Sequence, residues 1–200
     1  MPGRKEQPPE HDRNGWEAIA AWFTDYGRKS TVGMAVIQRW AEMLPPGGSV
    51  LDLGCGPGTP RSQALANRGF ALYAIDASPT LVAAYQTQFS NAHVECAPVE
   101  DSSFFGQRFD GVLAWGLMFL LPTQAQRELI HHVAKVLHPG GAFLFTAPAQ
   151  ECKWDDQSTG QPSRSLGASV YRKILAEAGL ILRAEYNDEG ENHYYDVVRA

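Results

Sequence analysis

Asp52 and Asp76 are the two acids whose settings lend themselves to chemistry. Asp52 stands near the end of an apolar run and is followed by glycine at alternate positions, Gly54, Gly56 and Gly58, in VLDLGCGPGTP. A strand, a glycine turn and a helix turn backbone N–H groups and a positive helix end toward a ligand, and glycine lets it approach more closely than any Cβ would. Asp76 ends the next apolar run, ALYAID, which brings it beside the glycine loop at the carboxyl edge of a sheet. A carboxylate there can accept both hydroxyls of a ribose, and Ser78, followed by Pro79, already supplies the cap of the next helix. Counting from Gly54, Thr59 occupies the last position of a G-x-G-x-x-G/A dinucleotide loop, so that fingerprint fails. An acid ahead of the glycines would repel a pyrophosphate and suits a cationic ligand group.

The elements that must position these acids follow from periodicity. Apolar residues at helical spacing between 16 and 43 predict two helices before the first strand. Strand-like runs then alternate with helical segments: SVLDL, ALYAI, HVEC, DGVLAW and AFLFTA, with helices starting near Ser78 and Thr123 and a last one ending near Ala178. Continuous apolar strands separated by helices indicate an α/β fold, a parallel sheet covered on both faces. LILRAEY and HYYDVV are joined by a link too short for a helix, so one of them runs antiparallel. Thr123 with Gln126 reads as a capping box, HPGG (138–141) as a tight turn, and Gly69 and Gly179 as helix C-caps. His131 and His132 are expected on a helix surface. Residues 149–166, rich in turn formers, are expected to form a lid loop.

At 200 residues, the chain suits one domain at 14–200, with helices at 14–45 covering the site and a disordered tail at 1–13. The net charge of −5, with no basic run, argues against a nucleic-acid partner. Cys55, Cys96 and Cys152 lack the close spacing of metal or redox pairs and read as small buried hydrophobes; no metal is expected. No apolar stretch reaches the roughly 18 residues of a membrane span, so the expectation is a cytoplasmic protein without a membrane partner.

Taken together, VLDLGCGPGTP, AIDASPT, RFDGVLAWG and LHPGGAFLF resemble the class I S-adenosylmethionine-dependent methyltransferase family, in its order and spacing, over roughly residues 31–200. The resemblance implies a Rossmann-like, seven-stranded, mostly parallel sheet with helices on both faces and an antiparallel final hairpin strand. It implies S-adenosylmethionine as cofactor and S-adenosylhomocysteine as product. Carried over by position, the methionine part meets Asp52, Gly54, Cys55 and Gly56, and the ribose meets Asp76 and Ala77. The adenine edge meets Val99 and Glu100, with Pro98 where the family often has an aspartate. Ala114 offers a carbonyl and Trp115 a wall to the methionine pocket.

A sulfonium methyl is already electrophilic, so alignment and exclusion of water can suffice for its transfer. The chain shows no NPPY-like motif after the fourth strand, and Phe119 and Leu120 replace a histidine pair found in small-molecule relatives. This points to a small apolar or aromatic acceptor carrying an O, N or S nucleophile. Groups that could orient or deprotonate it are Trp22, Tyr26 and Arg28; Trp154, Asp155 and Asp156; and Glu191, His193, Tyr194 and Tyr195 in the final hairpin. His193, Tyr194 and Tyr26 are the candidate catalytic residues, and Arg164 is a candidate holder of an acidic substrate. A nicotinamide-dependent oxidoreductase and a non-catalytic cofactor-binding subunit are the alternative readings. A monomer or homodimer is expected.

Overall fold

The computed structural model describes residues 15–27 and 30–200. The expected tail at 1–13 and the candidate Arg28 lie outside the described residues, as does the side chain of the candidate Tyr26. Two helices, α1 (Trp16–Gly27) and α2 (Met34–Ala41), precede β1 (Ser49–Leu53). The chain then alternates through α3 (Arg61–Asn67), β2 (Ala71–Asp76), α4 (Pro79–Gln88), β3 (His93–Cys96), β4 (Phe109–Ala114), α5 (Thr123–Val136) and β5 (Leu137–Thr146). A hairpin of β6 (Glu151–Asp155) and β7 (Pro162–Leu166) follows, then α6 (Ala168–Glu177), β8 (Leu180–Asn187) and β9 (His193–Arg199).

The main sheet has seven strands in the order β3-β2-β1-β4-β5-β9-β8. The pairs from β3 through β5 are parallel, and β9 runs antiparallel to both β5 and β8. β1 is apolar on both faces because both are covered. Ile37, Trp40, Leu65 and Tyr85 from α2, α3 and α4 pack on one side, while Leu129, Ile130, Val133, Tyr171 and Ile174 from α5 and α6 pack on the other. Strand alternation sends Tyr194 into the first layer and Tyr195 into the second. Gly111 interrupts β4 because a Cβ there would meet Leu44 and Trp40 of the covering layer at 2.7 and 2.9 Å.

Five local expectations are corrected. Residues 149–166 are not a loop but mostly the β6–β7 hairpin, paired from Glu151–Leu166 to Asp155–Pro162. Half-buried Cys152 and Trp154 alternate there with exposed Glu151, Lys153 and Asp155. Thr123 does not cap α5: the cap position is Pro122, and the Gln126 amide donates to the Leu121 and Arg164 carbonyls instead. HPGG is an excursion inside β5, whose register jumps from Phe109–Leu137 to Gly111–Ala142. His132 is half-buried and stacked on Phe104 with ring centroids 4.0 Å apart. Among the cysteines only Cys55 is buried; Cys96 is exposed and Cys152 intermediate.

Candidate functional site

Strand order reverses at β1, whose neighbours β2 and β4 leave in opposite directions, and ligands of open α/β sheets bind where this happens. A cavity of about 450 Å³ lies there, beyond the carboxyl ends of the strands. Its floor includes Gly54, Cys55 and Gly56, all in the loop after β1. The three alternating glycines divide into two roles. Gly56, at φ +55°, is faced only by the Phe23 ring, 3.3 Å from where its Cβ would be. Gly58, at φ +80°, lies off the cavity, and a Cβ there would strike the rings of Tyr85 and Phe89. One glycine thus opens the backbone to the cavity and another lets α4 close on the loop.

Asp76 reaches the cavity and is oriented by two backbone donors: Gly56 N–H donates to Oδ2 at 2.8 Å and Ser78 N–H to Oδ1 at 2.9 Å. Each oxygen keeps a further lone pair for a ligand hydroxyl. Burial raises its carboxyl above the ordinary range, against the pull of these donors. Ala77 and Leu81 continue this wall, and Pro98, Val99 and Glu100 form a largely apolar shelf beyond β3.

Asp52 and Ala114 do not line the cavity, which corrects the contacts assigned to them. Asp52 is buried and accepts the Ser62 hydroxyl at 2.5 Å; burial pushes its carboxyl up to about 6, opposed by that hydrogen bond and by the positive Arg61. A carboxylate inside a strand that packs on both faces turns into the protein. Ala114 is fully buried in β4, and the next residue, Trp115, forms the wall. The Arg61 guanidinium lies over the Trp115 ring, 3.6 Å from its centroid, and the Trp115 indole N–H donates to Tyr194 Oη at 2.7 Å. Tyr194 in turn donates to Asp188 Oδ2 at 2.8 Å.

This chain removes Tyr194 from the catalytic candidates. Its side chain is fully buried, both hydrogen-bonding roles of its hydroxyl are taken, and burial together with Asp188 raises its phenol far above the usual range. His193 points elsewhere, with Nδ1 2.8 Å from Asn187 Oδ1 and Nε2 3.6 Å from Glu185, and it does not line the cavity. Tyr195 is buried in the opposite layer. Trp22, Trp154, Asp155 and Glu191 also lie off the cavity wall, Trp154 packing on Phe119 at 5.5 Å. Asp156 and Arg164 do reach the wall, Asp156 from the turn of the β6–β7 hairpin and Arg164 from β7. Asp156 Oδ1 is engaged in its own turn, accepting from Ser158 and Thr159.

A helical cover completes the enclosure. Trp16 and Phe23 of α1 line the cavity and meet edge-on at 4.8 Å. Glu17 holds α1 in place by accepting hydrogen bonds from the Ser78 hydroxyl, from Thr80 Oγ1 at 2.6 Å and from Thr80 N–H at 3.2 Å. A carboxylate at the first turn of α4 also meets the positive end of that helix.

Residues 50–141 match the family described as methyltransferase domain. The matched stretch runs from β1 into β5 and includes the glycine loop and Asp76. Over 101 residues it is 33% identical to the malonyl-[acyl-carrier protein] O-methyltransferase of Pseudescherichia vulneris, a match that covers 50% of this chain and 39% of that protein. The chain therefore aligns with less than half the length of this curated relative. Among solved structures, the 1,6-didemethyltoxoflavin-N1-methyltransferase of Burkholderia thailandensis, with 1,6-didemethyltoxoflavin and S-adenosylhomocysteine bound, superposes with a TM-score of 0.71 at 17% identity. That likeness covers 100% of this chain and 92% of the other. A TehB-like S-adenosylmethionine-dependent methyltransferase from Corynebacterium glutamicum gives 0.69 at 17% identity, over 91% and 98% of the two chains. At such identities the likeness establishes the fold.

S-adenosylmethionine is the methyltransferase family's cofactor, and the cavity residues fit its parts. Gly56 leaves room against the backbone, Asp76 has free lone pairs for hydroxyls, Pro98 and Val99 make an apolar shelf for a base, and Arg61 has a buried donor with no partner. Sequence reasoning missed Arg61, Trp16, Phe23 and Asn192, all of which line the cavity. Arg61 did carry a signal: a cation in the first turn of a helix opposes the helix dipole, so another interaction must hold it there. For Trp16, Phe23 and Asn192 no comparable signal exists, because their place depends on how remote segments fold over the sheet.

Proposed function

We propose that the chain is an S-adenosylmethionine-dependent methyltransferase acting in the cytoplasm, as a monomer or homodimer, on a small molecule with an O, N or S nucleophile. The observation that carries this reading is Asp76, fixed by Gly56 and Ser78 between an apolar shelf on one side and the Arg61–Trp115 pair on the other. Asp76 accepts the ribose hydroxyls, Pro98, Val99 and Leu81 enclose adenine, and the Gly54–Gly56 backbone and Trp115 border the methionine part. Bound S-adenosylmethionine supplies a methyl group on a positively charged sulfur, activated for attack. The protein's own part is to hold an acceptor in line and keep water out.

Phe119, Leu120, Leu121 and Pro122 supply an apolar chamber wall and Gln161 and Arg164 a polar rim, which favours a flat or apolar acceptor with one polar or anionic edge.

The test pairs binding with turnover. Calorimetry is expected to show S-adenosylhomocysteine binding and none for NAD, and Asp76→Ala is expected to weaken the former roughly 10- to 100-fold through loss of two hydrogen bonds. Metabolite extracts incubated with isotopically labelled methyl donor are expected to yield a labelled product. Binding of NAD alone would sink the reading; cofactor binding with no label in any extract would identify a cofactor-binding subunit instead.

A further inference from the structure

Arg164 is a half-buried cation on the cavity wall, and among the described residues its guanidinium has no hydrogen bond and no carboxylate within ion-pair distance. Directly across the hairpin stands Lys153, a second cation, and like charges opposed on paired strands repel. The backbone of Arg164, by contrast, is held firmly. The buried Gln126 of α5 donates from its amide to the Arg164 carbonyl at 3.1 Å and to the Leu121 carbonyl at 2.9 Å, and its Oε1 accepts the Tyr171 hydroxyl at 2.6 Å. The Ser165 hydroxyl, next along β7, donates to the Pro148 carbonyl at 2.6 Å. One buried side chain thus ties the strand that carries the cation to the apolar wall at Leu121, and a site built on a fixed strand presents its groups more precisely than one on a loop.

The rest of the lining says what an anion at Arg164 would be attached to. The glycine loop, Asp76 and Trp115 belong to the cofactor in the reading above, on which this inference rests, and Phe119, Leu120 and Pro122 are left as an apolar wall for the acceptor. Asp156, on the same lining, keeps its Oδ2 outside the hydrogen bonds of its turn and opposes a second negative charge. One negative charge on an apolar body fits this setting, and a guanidinium matches a carboxylate in shape as well as charge. We infer that the acceptor is an apolar or aromatic carboxylic acid anchored through its carboxylate by Arg164, and that Gln126 positions Arg164 for this contact. The carboxylate is the anchor and not the methylated group: an oxygen paired with a guanidinium has its charge neutralised and its lone pairs engaged, which makes it a poor nucleophile. The methyl group goes to another O, N or S of the same molecule.

Binding of paired probes tests this without turnover. Protein saturated with S-adenosylhomocysteine, which leaves the acceptor half of the cavity open, is titrated with benzoate and naphthoate, with their neutral amides, and with naphthyl phosphate. Wild type is expected to bind each carboxylate roughly 10-fold tighter than its amide, the low end for a hydrogen bond between charged groups, and tighter than the phosphate. Arg164→Met is expected to lose that preference while binding the amides and S-adenosylhomocysteine within about threefold of wild type, and Arg164→Lys, which keeps the charge but not the fork, to retain part of it. Gln126→Met, or Tyr171→Phe if that variant does not fold, is expected to reduce the preference about threefold with amide binding unchanged. An equal loss of acid and amide would mean that Gln126 supports the fold alone and would overturn its positioning role. A wild type without preference, a preference that survives in Arg164→Met, or tighter binding of the phosphate overturns the carboxylate anchor. The labelled product of the extract screen is expected to bind an anion exchanger and keep its label in alkali; label released as methanol identifies a methyl ester and overturns the anchor as well. If wild type does not bind S-adenosylhomocysteine, the cofactor reading itself fails; if it does and the acids bind no tighter than the amides, only the present inference does.

Discussion

Asp52 is conspicuous in the sequence and silent in the cavity. Its carboxyl is pushed up to about 6 by burial, from an ordinary value of 3.8. The folded state therefore holds this proton more tightly than the unfolded chain does. Between about pH 4 and 6 the folded state carries more protons, so the group's contribution to stability is full below that window and is lost as pH rises through it. Asp52→Asn retains an acceptor for Ser62 and cannot ionise. The ligand-free variant is expected to be more stable than wild type at pH 7.5, by on the order of 2 kcal/mol, and to match it near pH 4. Denaturant titrations at the two pH values check this; a difference independent of pH would show that the buried charge is not its source. At this scale the sequence was readable where a side chain reaches the cavity from its own strand end, as Asp76 does. It misled where strand alternation turns a carboxylate inward, as at Asp52, or a tyrosine into a hydrogen-bond relay, as at Tyr194.

At the scale of elements, α1 closes the site through one residue. Glu17 accepts from Ser78 and Thr80 at the start of α4, and its carboxyl lies below the ordinary range because these hydrogen bonds outweigh the cost of its burial. Glu17→Ala is expected to cost about 1 kcal/mol in global stability, the size of a lost helix cap. The larger effect is expected on α1 itself. Its amides should exchange with solvent at least tenfold faster while those of β1 and β4 keep their protection, and S-adenosylhomocysteine should dissociate faster. Uniform loss of protection across the molecule would mean that Glu17 supports the fold rather than the cover. The β6–β7 hairpin belongs to the same scale. Its alternation of Cys152 and Trp154 with charged residues was present in the sequence, and the surrounding turn formers masked it.

For the whole molecule, a ligand bound at the end of β1, β2 and β4 touches the centre of the sheet and so couples to global unfolding. S-adenosylhomocysteine at about 100 times its dissociation constant is expected to add about 2.7 kcal/mol, which for a chain of this size raises Tm by roughly 5 to 10 °C. NAD at the same concentration is expected to leave Tm unchanged, and an equal shift with both nucleotides would remove the discrimination drawn from Thr59 and the acid before the glycines. Among the described residues no helix is long and apolar enough to cross a membrane, and no group of three or more His, Cys, Asp or Glu comes together as a metal site.

What the sequence determined by itself was the order of the main-sheet strands and their helices, the antiparallel final hairpin, and the glycine loop and acid at the strand ends that border the cavity. Each is a local pattern: apolar period, glycine spacing, a link too short for a helix. Tertiary structure decided which of these residues face the cavity. Gly58 serves packing and Gly56 borders the cavity; Asp52 turns inward and Asp76 outward; Arg61 lies on Trp115, which is hydrogen-bonded to Tyr194, 79 residues further along the chain. The physical reason is that orientation within a sheet buried on both faces depends on what packs against each side, and that packing comes from segments distant in the chain.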